Sequence, residues 1–309
     1  MTAYLLLTIS LLAGLTYNIL RNLCMKKYIR AQADNYRFNA LSGLFTSAVL
    51  VVMMCMQGGL HMPSLYTLLL GLLFGAVTAG AAILNMCAFG VGPMSYTTVI
   101  ISCSMIIPSL YGVFLGQTLH AAHYIGIAMM VACMILSVSK DGEGEAAQKK
   151  ANLVWLACCM GAFLLNGFIG ILQQIHQNSA HRDELNLFLL VAFLFSSVFS
   201  LGGWLFCRRP KGRTAAAQER SALHLTPRNP AFYACALTGV CVAAANIINL
   251  YLSGVMESAV FFPVVNGGGL ILSALAGIVL FRERLSGRKW IGLGVGTAAI
   301  LLLCLEKVF

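Results

Sequence analysis

The sequence predicts an all-α integral membrane protein in which ten transmembrane helices form two inverted five-helix repeats, and three observations carry that expectation. Charged residues make up 10% of the chain and hydrophobic ones 59%, whereas a soluble domain carries roughly 25% charged residues. Apolar runs of about 20 residues, the length that crosses roughly 30 Å of hydrocarbon as a helix, recur from one end of the chain to the other. The chain also echoes itself. Gln117-Thr118-Leu119 followed by Tyr124-Ile125-Gly126 returns as Glu283-Arg284-Leu285 followed by Trp290-Ile291-Gly292, and Asn85, Gly90 and Val91 return as Asn249, Gly254 and Val255. A period of that length is too long for a solenoid unit and points to a duplicated bundle.

Taken in order, the apolar windows place helices at 3–24, 36–57, 64–89, 94–116 and 121–139 in a first repeat spanning 1–140, and at 152–176, 185–207, 231–254, 258–281 and 288–305 in a second repeat spanning 152–309. Between the repeats, residues 141–151 read as a charged, glycine-containing linker. The stretch from Arg208 to Pro230 carries six basic residues and reads as a topology-setting loop on the membrane surface rather than a nucleic-acid site. The 11 cysteines lie in or at the ends of apolar runs without a CxxC, so they behave as small buried hydrophobes and predict neither disulfides nor a metal site. The N-terminus lacks a basic n-region and an A-x-A cleavage site, so the first apolar run is expected to be an uncleaved span.

The basic residues orient the bundle. Lys26, Lys27, Arg30 and Arg37 follow the first helix; Lys140, Lys149 and Lys150 the fifth; Arg208, Arg209, Lys211, Arg213, Arg220 and Arg228 the seventh; and Arg282, Arg284, Arg288 and Lys289 the ninth. The opposite face has only Arg182 and Lys307. Because cytoplasmic loops concentrate Lys and Arg, both termini are expected outside the cytoplasm. With five helices per half, the second half enters the membrane upside down relative to the first.

Polar residues within the spans are the candidates for function. None of the 10 acidic residues falls near the middle of a span; Glu257, Glu283 and Glu306 lie at helix ends and the others in loops. A proton-coupled exporter of cations generally needs a buried carboxylate, so that class is disfavoured unless Glu257 reaches inward. The first helix offers Tyr17, Asn18 and Arg21 instead. Arg21 lies roughly 27 Å along it at 1.5 Å per residue, where the side chain either snorkels to the headgroups or receives an anionic group at the inner mouth of a cavity. Ser102-Cys103-Ser104 and Asn266-Gly267-Gly268-Gly269 sit at matching depth near the midplane, and the glycines either permit close packing or unwind to expose backbone to a ligand. Asn18 and Asn166 correspond, with Asn246 at comparable depth; each serves either interhelical hydrogen bonding or ligand contact. Tyr96 is a candidate rim aromatic, whereas His176 reads as a solvated interfacial residue. The steps Gly71/Gly75, Gly112/Gly116 and Gly292/Gly296 mark tight internal packing.

The five-plus-five pattern, with a short Glu-Arg-Leu loop leading to an aromatic-Ile-Gly helix start at the end of each half, resembles the drug/metabolite transporter superfamily, particularly its EamA-like members. The resemblance rests chiefly on Phe281-Arg282-Glu283-Arg284-Leu285 to Ile291-Gly292, and the first half departs from it with Gln117, His120 and His123. It implies a secondary or facilitative transporter of a small organic metabolite, neutral, zwitterionic or anionic, in the export direction in many members, working by alternating access between the halves. A lipophilic-cation or drug exporter and a lipid flippase-like carrier are the alternatives. No HExxH, P-loop or GxSxG occurs, so no enzyme, cofactor or metal is expected. Expected partners are the small-molecule substrate and membrane lipids, with no nucleic acid, and a monomer in preference to a homodimer. The expected location is a bacterial inner membrane.

Overall fold

A computed structural model describes residues 2–29, 32–56, 62–91, 103–116, 146–207, 229–281 and 287–305, with scattered positions between 97 and 136. Among the described residues all regular structure is helical: α1 (Thr2–Lys27), α2 (Gln32–Met56), α3 (Leu65–Val91), a 3-10 turn (Cys103–Met105) leading into α4 (Ile106–Phe114), α5 (Ala146–Gln177), a second 3-10 turn (Arg182–Glu184), α6 (Leu185–Cys207), α7 (Pro230–Val255), α8 (Ser258–Phe281) and α9 (Gly287–Leu305). Seven of them, α1, α2, α3, α5, α6, α7 and α8, are long and apolar enough to cross a membrane. Large apolar side chains cover the outside of the bundle, among them Val198, Phe206 and Val279 at 64%, 73% and 72% exposure. That outward apolar surface suits hydrocarbon rather than water.

Helix ends follow local chemistry. Ser64 caps α3, its Oγ accepting from the Thr67 backbone N–H at 3.2 Å, and Asn229 caps α7, its Oδ1 accepting from the Ala231 N–H at 3.0 Å with Pro230 in the first turn. Both satisfy backbone donors that a helix start otherwise leaves unpaired. The windows at 185–207 and 258–281 coincide with α6 and α8. Two starts differ. α5 begins at Ala146, inside the expected linker 141–151, because Ala146, Ala147, Gln148, Lys149 and Lys150 are strong helix formers that a hydropathy window overlooks. α2 begins at Gln32 rather than 36, and its polar first turns bury Asp34 and Asn35. Most of the fifth expected helix (121–139), the remainder of the linker, most of the basic loop and Glu283 lie outside the described residues.

Packing alternates between the two ends of the sequence. α1 lies along α7, α3 along α5 and α6, and α2 along α6 and α7, while α4 and α8 pack against each other and α8 against α1. One core cluster joins Leu50, Phe74, Leu172, Phe188 and Leu250, with the Phe74 and Phe188 rings 5.0 Å apart edge to face. A second joins Cys24, Phe38, Met86 and Cys235 toward the other end of α1. Two glycines set the spacing between helices. A Cβ at Gly75 on α3 would overlap the Ala192 carbonyl of α6, and one at Gly239 on α7 would stand 2.7 Å from the Ser42 carbonyl oxygen of α2. Backbone-to-backbone approach of this kind needs a residue without a side chain.

The other glycine steps resolve differently. Gly116 packs against nothing; it follows α4 in the left-handed conformation, φ 81°, and its N–H bonds the Val113 carbonyl. The Gly267-Gly268-Gly269 run does not unwind. α8 continues through it, with Gly268 facing Leu11 of α1 and Gly269 facing open space.

Candidate functional site

A cavity of about 290 Å³ lies within the bundle, bordered by residues of α1 to α8. Six sequence-predicted residues line it together: Asn18, Arg21, Ser104, Asn166, Asn246 and Asn266. Tyr96 and Ser102 lie outside the described residues. Along α1 the lining runs from Ser10 to Arg21, about 16 Å of helix axis.

Amides dominate the lining. Asn18, Asn39, Asn85, Asn166, Asn246, Asn249 and Asn266 all contribute, with hydroxyls from Ser10, Thr46, Thr78 and Thr238. Some of these amides hold helices together. Asn166 Nδ2 donates to Asn85 Oδ1 at 3.4 Å between α5 and α3, and Ser10 Oγ donates to Asn249 Oδ1 at 2.6 Å between α1 and α7. Two others, Asn246 and Asn266, are turned to the space within. Asn166, Asn246 and Asn266 each donate Nδ2 to the carbonyl four residues earlier, of Ala162 (2.7 Å), Val242 (2.9 Å) and Phe262 (3.0 Å). That internal bond fixes each carboxamide so that its Oδ1 is left as an acceptor without a donor among the described residues. None of these oxygens is sealed from the cavity, and an unpaired amide oxygen in hydrocarbon would cost several kcal/mol, roughly the transfer penalty.

Arg21 is the one charged residue among those lining the cavity. Its side chain does not run out to the headgroups; Nη2 donates to Asn39 Oδ1 on α2 at 2.7 Å, and Asn39 Nδ2 in turn donates to Asn35 Oδ1 at 2.8 Å. Nε is sealed and has no partner. Tyr17, one turn earlier on α1, lines the same space. No Asp or Glu does, and Glu257 is exposed at the junction of α7 and α8. Among the described residues no group of three His, Cys, Asp or Glu side chains is placed to hold a metal ion.

Toward the end of α5 the packing closes. Gln174 is buried; its Nε2 donates to the Pro108 carbonyl of α4 at 2.8 Å and its Oε1 accepts from Ser258 Oγ of α8 at 2.8 Å. His176, expected to be solvated, is instead buried and stacked 4.3 Å from the Phe188 ring, because α6 folds back along the last turn of α5. Beside it, Glu184 accepts from Ser64 Oγ at 2.8 Å and lies 3.6 Å from His181.

Asn39, Asn85 and Asn249 are lining residues that the sequence did not single out as a site. Asn85 and Asn249 carried the available signal, being repeat-related polar residues within apolar spans.

Comparison with protein-family models and with curated proteins finds no match. Among solved structures, a crystal structure described only as that of a protein superposes with a TM-score of 0.66 over 96% of this chain and 96% of its own, at 16% identity. At that identity the likeness concerns the fold alone.

Proposed function

We propose that the chain is a secondary or facilitative transporter of a small organic metabolite, an EamA-like member of the drug/metabolite transporter superfamily with ten helices in two inverted repeats. The observation that carries this reading is the polar cavity enclosed jointly by helices from both halves of an apolar bundle. Inverted-repeat transporters place their substrate at such an interface near the bilayer midplane, where each half can close over one fixed site. The pairing of helices supports the same plan. In the repeat, α1 corresponds to α5 and α3 to α7, and the contacts α1–α7 and α3–α5 exchange under that correspondence. Gly75 and Gly239, which play the same close-packing role, are separated by the repeat offset seen in Asn85 and Asn249.

A lipophilic-cation exporter is disfavoured by a cavity with a guanidinium and, among its lining residues, no carboxylate. The membrane is a bacterial inner membrane with both termini outside the cytoplasm, a reading supported by the basic-residue asymmetry.

The deciding experiment loads proteoliposomes with a mixture of central metabolites and follows their efflux by mass spectrometry. One or a few small polar organic solutes leave faster than from protein-free vesicles; equal efflux of every solute would refute transport. For orientation, single cysteines at Ser139 and Thr214 in a cysteine-free background are shielded from an impermeant thiol reagent in intact cells, and one at His61 is labelled. Reversed labelling would invert the topology.

A further inference from the structure

The cavity polarity is uneven in a way that specifies a ligand charge. A guanidinium has five N–H donors, yet Arg21 spends one on a neutral amide, Asn39, which relays to another neutral amide, Asn35. Nothing in that relay carries negative charge. Nε has no partner at all, while Nη1 has none among the described residues and is not sealed, which leaves it open to the cavity. Tyr17 brings a hydroxyl to the same region and has no hydrogen-bond partner among the described residues. A cation so poorly matched in a low-dielectric interior calls for an anion to complete it. The guanidinium fork suits a carboxylate geometrically.

Farther along the cavity the lining is polar but uncharged. The carboxamides of Asn246 and Asn266 each spend one N–H on their own helix and keep Oδ1 free to accept. A ligand therefore meets a cation at one end and neutral amides at the other. A second negative charge would find no second cation among the lining residues, and a cation would meet Arg21 with no acidic residue in the lining to offset it.

Building on the transporter reading, we propose that this is a monoanion site: the solute carries one carboxylate-like group seated on Arg21, with hydroxyl or amide hydrogens directed at Asn246 and Asn266.

Five probes with a common six-carbon chain test this by titration calorimetry on the detergent-solubilised protein: gluconate, sorbitol, glucarate, N-methylglucamine and hexanoate. Gluconate is expected to bind about tenfold or more tightly than each of the others, since each lacks the anion, doubles it, reverses it or lacks the donor hydrogens. Arg21→Gln brings gluconate to the level of sorbitol, and Arg21→Lys keeps part of the preference because the charge survives without the fork. Melting curves of the ligand-free variants establish that each is folded; should Arg21→Gln fail to fold, the probe ranking on the unmodified protein and the Arg21→Lys variant decides. Equal binding of sorbitol or N-methylglucamine, an unchanged preference in folded Arg21→Gln, or binding of no probe would each overturn the monoanion assignment. Flux by the same preparation separates the two readings. If solute efflux persists while the charge order fails, only the monoanion site falls; if efflux is absent too, the transporter reading falls with it.

Discussion

The two halves of the chain differ at a position where the rest of their design agrees. Asn18 on α1 and Asn166 on α5 stand at matching depth and both line the cavity; three residues further along, the first half has Arg21 and the second has Ile169, and both of these line it as well. The scaffold contacts recur in kind. Asn85 bonds Asn166 between α3 and α5, Asn249 bonds Ser10 between α7 and α1, and Gly75 and Gly239 each press a helix against a neighbouring backbone. On the proposed two-repeat plan, duplication accounts for the frame, while the single charge breaks its symmetry. A site built from two like halves distinguishes one end of a solute from the other only through such a difference.

That contrast can be broken most severely at the shared frame. Gly75→Val should destabilise the detergent-solubilised protein by about 3 kcal/mol, the upper end of ordinary overpacking, because the Ala192 carbonyl it meets belongs to a helix backbone. Gly239→Val should do the same in the other half, visible as a large fall in melting temperature for both. A severe loss in one and none in the other would mean that the halves do not share their packing logic.

Making the halves alike at the charged position comes next. Arg21→Ile, which copies the second half, should cut efflux of a monoanionic solute about tenfold or more with the melting temperature near wild type. Full efflux would remove Arg21 from recognition.

Smaller effects separate the amides that hold helices from those that face the cavity. Asn266→Ala should reduce efflux several-fold while leaving the melting temperature within a few degrees, with Ser102→Ala acting in the same direction more mildly. Asn249→Ala, which loses the bond from Ser10, should instead destabilise by about 0.6–1 kcal/mol, the usual worth of an interhelical hydrogen bond in a membrane. Thermal melts read beside efflux assays tell the two classes apart.

The fold was legible because hydrocarbon imposes a single requirement, a run of apolar residues long enough to cross it, and α6 and α8 meet that requirement with sharp ends. It was less legible where helices begin in polar sequence, as at Ala146 and Gln32, since protein rather than lipid covers those turns. Asn18, Asn166, Asn246 and Asn266 could be singled out because an amide within an apolar span needs a partner or a cavity. Which of the two each found depended on packing: Asn166 found both, a bond to Asn85 and a place in the lining. Arg21 lies near the end of its span, where sequence alone leaves headgroup contact and a cavity role both open; its long side chain reaches Asn39 of α2, with α1 and α2 each packed on α7. His176 was misjudged for the same reason, since only the return of α6 covers it.

The central claim is that solute passes through the cavity between the halves, and Gly269 allows the most direct test. It lines the cavity, and a Cβ there would touch nothing within 4 Å, so a cysteine fits without disturbing the helix. In a background with the 11 native cysteines replaced, Gly269→Cys should transport before treatment, react with a small hydrophilic methanethiosulfonate, and lose efflux in proportion to the fraction modified. Complete modification with efflux undiminished would place the path elsewhere and contradict the account.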